Sequence, residues 1–266
     1  MELDGARALV TGASGGIGAA IASELAGHGV RVVLGGRNLE RLEAARAALP
    51  NDGHEIVSAD LSSREAPEEL VAAAGDLDVF ISSVGLPASG WLPEYEGDQL
   101  ARALRVNLEA PMQIARLLVP RFIERRRGHL AFISSLAGKV PSPGLSIYCA
   151  TKFGLRGFAL ALATELVDSG VGVSVVCPGF VRDAGMFADS GAELPPAVGS
   201  SSVRDVAREV RRAIVEDRQE VVVAPRRHRA ISHAALIAPR LWRPALSGNA
   251  AVRTAKQIAA GQIHKR

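Results

Sequence analysis

The sequence predicts an α/β fold: a doubly wound, seven-stranded parallel sheet with helices on both faces. Three observations carry that prediction. Short β-branched or apolar runs alternate along the chain with Ala-, Leu-, Glu- and Arg-rich segments of helical period. Hydrophobic residues make up 48% of the 266-residue chain but aromatics only 4%, so the core is built mostly from Ala, Val, Leu and Ile, as suits parallel strands covered by helices. No internal repeat or low-complexity linker interrupts the chain before residue 224, which supports one compact domain over 1–224 and a separate extension over 225–266.

The strand runs are Ala8-Leu9-Val10, Arg31 to Leu34, Glu55-Ile56-Val57, Asp78 to Ile81, His129 to Ile133, Gly172 to Val176 and Glu220 to Val223. Helical segments fall between them, at about 16–28, 38–49, 63–74, 98–126, 147–169 and 203–217. Strand, helix, strand connections of this kind are right-handed, and the resulting sheet binds ligands at its carboxyl edge. The first such edge carries Thr11-Gly12-Ala13-Ser14-Gly15-Gly16-Ile17-Gly18. Glycines there let the backbone turn sharply and approach a pyrophosphate, whose charge meets free N–H groups at the helix start. A glycine-rich turn that only permits close strand–helix packing is the alternative.

A second motif is Tyr148-Cys149-Ala150-Thr151-Lys152, thirteen residues after Ser135. Reducing a ketone requires a proton at its oxygen, and a phenol can carry one. Lys152 shares a helical face with Tyr148, and an ammonium about 4 Å from the hydroxyl favours the phenolate by roughly 4 kcal/mol at an effective dielectric of about 20. That is about three pKa units off the ordinary value of ~10 before desolvation. A Tyr and a Lys four apart are also an ordinary surface pair on many helices.

With its G-x-x-x-G-x-G loop, Ser135, Tyr148 and Lys152 in this order and at these intervals, the chain resembles the short-chain dehydrogenase/reductase family over residues 5 to about 223. The resemblance implies a Rossmann-like fold and an oxidoreductase moving hydride between a nicotinamide cofactor and a ketone or secondary alcohol. It implies that Tyr148 is the general acid/base and that Ser135 hydrogen-bonds the substrate oxygen. Lys152 would hold the nicotinamide ribose and lower the phenol pKa, and Asn107 would interrupt the long fourth helix and anchor a proton relay. Cofactor contacts fall on Gly12, Ser14, Gly16, Ile17, Gly18, Asp60, Leu61, Ser83, Gly85, Pro178, Gly179, Val181 and Asp183, besides Tyr148 and Lys152. A homodimer or homotetramer is implied, and no metal. Two positions depart from the family pattern: Ser82-Ser83-Val84-Gly85 replaces Asn-Asn-Ala-Gly, and Asp183 stands where a threonine usually contacts the carboxamide.

Charge favours NADP(H) over NAD(H). The second strand ends Leu34-Gly35-Gly36-Arg37-Asn38, with no carboxylate to bind a ribose 2′-hydroxyl and with Arg37 able to fork onto a 2′-phosphate. Against this, Gly15 stands where many NADP-using relatives carry a basic side chain. Loops 86–97, 136–147 and 184–202 are expected to rim the substrate site. Their Trp91, Leu92, Val140, Leu145, Met186, Phe187 and Leu194, with Lys139 the one exception, either line a pocket for a small apolar carbonyl or alcohol or pack the loops. The competing function class is a catalytically idle dinucleotide-binding redox sensor or scaffold.

Net charge is +3, but Val221 to Arg266 carries nine basic residues and no acidic one, while the preceding 220 residues hold 22 basic and 28 acidic, a net of −6. The span Ile231 to Leu246 mixes apolar residues and Trp242 with Arg240 and Arg243, and is broken by Pro239 and Pro244. Such a tail lies on an anionic membrane, packs across a subunit neighbour, or covers the lid. No motif accompanies the charge, so nucleic acid is not an expected partner. Cys149 and Cys177 alone suggest no disulfide framework, Met1 to Val10 shows no leader pattern, and the apolar run Phe158 to Ala163 is too short for a bilayer, so the expected location is the cytoplasm, with membrane association only through the tail.

Overall fold

The structure, a computed structural model, describes residues 1–194, 199–237 and 248–263. Seven strands, β1 (Arg7–Thr11), β2 (Arg31–Gly36), β3 (Glu55–Ser58), β4 (Val79–Ser82), β5 (Gly128–Ile133), β6 (Val171–Pro178) and β7 (Glu220–Val223), form one sheet in the order β3-β2-β1-β4-β5-β6-β7. Every pairing is parallel, for example Leu9 opposite Val33 and Phe80, so the first βα turn lies beside the switch between β1 and β4.

The sheet is fully sandwiched because its strands present apolar side chains to both faces. On one side Val10, Val32, Leu34, Ile81 and Val176 pack beneath α1 (Gly16–Ala26), α2 (Leu39–Ala47) and α8 (Val203–Glu216), which bury Ile21, Leu25, Leu42, Val206, Val210 and Ile214. On the other Leu9, Phe80, Leu130, Phe132 and Val175 pack beneath α3 (Ala66–Ala74), α5 (Ala110–Glu124) and α6 (Ser146–Glu165) through Leu70, Ile114, Leu118, Phe122 and Leu155. Full burial of a Leu, Ile or Phe side chain contributes about 1.5–3 kcal/mol, so this double layer dominates stability.

The remaining helices among the described residues are α4 (Gly97–Leu104), the single turn α7 (Met186–Asp189), α9 (Arg226–Ile237) and α10 (Asn249–Gln262). The long helix expected at 98–126 is α4 and α5 joined by a π-helical turn, Arg105–Glu109, with Asn107 at its centre. Among the described residues no helix is long and apolar enough to cross a membrane. Pro239, Arg240, Trp242, Arg243 and Pro244, on which the membrane-docking expectation rested, lie outside the described residues.

Candidate active site

At the carboxyl edge a cleft of about 600 Å³ opens above β1, β2 and β4, lined by the turn Gly12–Gly18, by Arg37, Asp60 and Leu61, by Ser83 to Pro87, and by Ala184 to Met186. Gly12 sits at φ +71, and a Cβ there would lie 2.9 Å from the backbone of Val84. At Gly18 a Cβ would come 2.2 Å from the Gly12 carbonyl oxygen, and at Gly16 the same distance from the Ala184 methyl. Close backbone approach therefore demands glycine at 12 and 18, and the Ala184 methyl demands it at 16. Helix α1 begins behind them with no side-chain cap, leaving its first N–H groups directed at the cleft. A dinucleotide fits this cradle: glycine backbone and a helix N-terminus for its pyrophosphate, and a polar, charged end for its adenosine.

That charged end holds more than the sequence indicated. Arg37 lies 3.9 Å from Asp60, and Arg41 and Arg102 line the same wall. Against desolvation, which opposes them, hydrogen bonds from Ser62 and the Arg37 and Arg102 guanidiniums hold the Asp60 carboxyl below its ordinary range. Arg41 lies on the first turn of α2, just after Arg37, and its nearness in the chain was legible. Arg102 arrives from α4, across the cleft, and nothing local in the sequence connects it to Arg37.

At the inner end the expected catalytic residues converge. Asn107 is fully buried; its Oδ1 accepts from the Leu86 N–H at 2.6 Å and its Nδ2 donates to the Leu86 carbonyl at 2.9 Å. A Cβ at Gly85 would fall 3.6 Å from Asn107 Oδ1, 3.7 Å from Lys152 Nζ and 3.2 Å from Met186 Cε, so Gly85 marks where the three meet. Ser135 follows the end of β5 by two residues and caps a short 3₁₀ turn, accepting from the Ala137 N–H at 3.1 Å, and its side chain also hydrogen-bonds that of Tyr148. Neighbouring Ser134 donates to the Lys152 carbonyl at 2.9 Å, fastening α6 to β5. Tyr148 keeps partial exposure and packs beside Ala88 and Ile147.

The electrostatics differ from the sequence expectation. Burial pushes the Tyr148 phenol up to about 12, only partly offset by the Ser135 hydrogen bond, and burial lowers the Lys152 ammonium to about 8. Lys152 Nζ donates to the Ile133 carbonyl at 2.9 Å and stands 5.7 Å from the Tyr148 ring centroid. Desolvation thus outweighs the attraction estimated for an ammonium about 4 Å from the hydroxyl. In this state the phenol is a held proton donor.

Other positions singled out in the sequence have the following settings. Asp183 Oδ1 accepts from the Val203 N–H at 2.9 Å, at the N-terminus of α8. Val181 is buried in the core, and Pro178 ends β6 with Gly179 directly after it. Lys139 is buried, its side chain 1% exposed, and its Nζ pairs with Glu220 at 2.9 Å, as Arg156 Nε does at 2.6 Å. Ser83 lines the cleft as expected, but buried Ser82 Oγ makes no hydrogen bond among the described residues, so serine there does not replace the family's asparagine support. Within the groups of His, Cys, Asp and Glu among the described residues, none could hold a metal ion.

Comparison with known proteins agrees with this architecture. The model of the family described as short chain dehydrogenase matches residues 6–194. Ketoacyl reductase HetN of Nostoc sp. is 35% identical over 227 residues, covering 83% of this chain and 79% of the relative. Nodulation protein G of Rhizobium sp. is 37% identical, with 69% and 76% covered. The 3-oxoacyl-[acyl-carrier-protein] reductase FabG of Rickettsia prowazekii is 32% identical, with 68% and 75% covered. A solved short chain dehydrogenase/reductase family protein superposes with a TM-score of 0.76 at 28% identity, over 84% of this chain and 97% of that one.

Proposed function

The chain belongs to the short chain dehydrogenase family and is an oxidoreductase of it; from that premise we propose that it uses NADP(H) to reduce an apolar ketone, or to oxidise the corresponding secondary alcohol. The observation that carries the chemistry is the Ser135, Tyr148, Lys152 and Asn107 constellation at the inner end of a cleft shaped for a dinucleotide. The cofactor, when bound, supplies the hydride.

The chain's own residues supply the rest. Tyr148, protonated throughout the neutral range because burial holds its phenol near 12, donates to the substrate oxygen. Ser135 positions that oxygen and accompanies the phenol. Lys152 and Asn107 sit beside Gly85, where an ammonium stabilises negative charge as the phenolate forms and a buried carboxamide can order a path for the replacement proton. Arg37, with Arg41 and Arg102, favours a 2′-phosphate over a 2′-hydroxyl, since Asp60 already has cationic neighbours and leaves net positive charge at that wall.

The names of the relatives HetN and FabG point to ketoacyl groups, whose chains are apolar, and Lys139 is buried and paired with Glu220. Both support an uncharged carbonyl. Oxidation of NADPH and of NADH is to be followed over a series of apolar ketones and 3-oxoacyl thioesters, with anionic 2-oxo acids as controls. Turnover restricted to the apolar members with NADPH preferred is expected; preference for the anionic acids or for NADH refutes the reading.

A further inference from the structure

Helix α10 lies beyond the 6–194 family match, yet it touches all three loops that rim the site. Its inward face is Ala255, Ala259 and Gln262, at 7%, 6% and 1% exposure, while Arg253 and Lys256 face outward. Ala255 Cβ would stand 3.5 Å from a Cβ at Gly144, on the loop after Ser135. Gly261 is seated so closely on the Met186–Asp189 turn that a Cβ would fall 2.1 Å from the Ser190 carbonyl oxygen. Gln262 joins the remaining loop to that same turn: Ser89 Oγ donates to its Oε1 at 2.7 Å, and its Nε2 donates to the Met186 carbonyl.

These contacts lead directly to the reacting groups. Ala88, beside Ser89, packs with Ile147 and Tyr148, and its φ of +41 marks a backbone held by its surroundings. Met186 lines the cofactor cleft and reaches toward Gly85, where Lys152 and Asn107 meet. A buried carboxamide left with one end unpaired is costly, so the two loops and α10 are stable together in one closed arrangement.

We propose that α10 is a fourth wall of the substrate site and that Gln262 is a positioning residue holding segment 184–190 over the cofactor cleft. The wall offers alanines and no charge, which extends to this helix the preference for an apolar carbonyl. The proposal rests on the oxidoreductase reading for its catalytic consequence, but not for the closure itself.

The full-length protein is to be compared with Gln262→Leu, which keeps side-chain volume and removes both hydrogen bonds, and with the milder Ser89→Ala. Amide hydrogen exchange across 184–191 in the free protein is expected to quicken at least tenfold in Gln262→Leu, less in Ser89→Ala, with exchange in β1 and β4 unchanged. KM for NADPH is expected to rise on the order of tenfold while kcat changes far less, a split that general destabilisation does not produce. Unchanged exchange across 184–191 in both variants overturns the proposal. If the unmodified protein binds no NADPH, the functional reading falls, and the exchange comparison still decides for or against α10.

Discussion

Replacing Glu220 with Ala tests how the segments that carry Ser135 and Lys152 are held. Its carboxylate receives Lys139, four residues beyond Ser135, and Arg156, one helical turn beyond Lys152, so a single side chain on β7 fastens both to the sheet. Without it the Lys139 ammonium, on a side chain 1% exposed, is buried unpaired. Removing one partner of a buried ion pair costs about 3–5 kcal/mol when the other charge stays buried. Glu220 is itself 24% exposed, so water enters the vacated space, and Arg156 at 20% can turn outward; about 2–3 kcal/mol is the expected loss. For a domain of this size that lowers Tm by roughly 5–8 °C in thermal denaturation. Adding Lys139→Met should recover at least half of it, because removing both partners leaves no buried charge, with a coupling above ~1 kcal/mol in the double-mutant cycle. A Tm for Glu220→Ala within about 2 °C of the parent, or a double variant no better than the single, refutes the argument.

Two further outcomes follow from the same structure. Burial lowers the His129 imidazole to about 3, with Nε2 2.9 Å from Ser174 Oγ, whereas an unfolded His titrates near ~6.5. Between those values the unfolded chain binds the extra proton, so stability present above pH ~6.5 is lost as pH falls toward 3, on the order of 4 kcal/mol in urea titrations; His129→Gln should flatten that dependence, and a parent equally stable at pH 4 and 7 contradicts it. Arg37→Ser should raise the NADPH dissociation constant about 10- to 100-fold and leave NADH within about threefold; equal losses for both would mean that Arg37 is not at a 2′-phosphate.

Much of this was legible in the chain because parallel strands and their covering helices write local signals. Each of the seven predicted strand runs lies within or beside an observed strand, with ends extended by a residue or two, as β6 extends to Pro178. The glycine loop was readable since backbone contact with Val84 and within the turn leaves no room for a side chain. The π turn was not, because Arg105-Val106-Asn107-Leu108-Glu109 contains neither Gly nor Pro and reads as uninterrupted helix; only family resemblance placed the break there. Long-range pairings were equally silent. Asp183 and Val203, Lys139 and Glu220, Arg102 and Asp60, and Gln262 and Ser89 each join positions whose approach depends on the folded sheet. The Tyr148–Lys152 spacing predicted proximity correctly, yet burial set the direction of both titrations, and spacing alone cannot weigh desolvation against charge.

The proton-carrying role of Tyr148 is tested most directly by Tyr148→Phe, which deletes one oxygen beside Ser135. NADPH binding measured by fluorescence should stay within about threefold of the parent, while single-turnover reduction of a ketone the parent accepts should fall by about three orders of magnitude. Reduction persisting within tenfold of the parent would contradict the account.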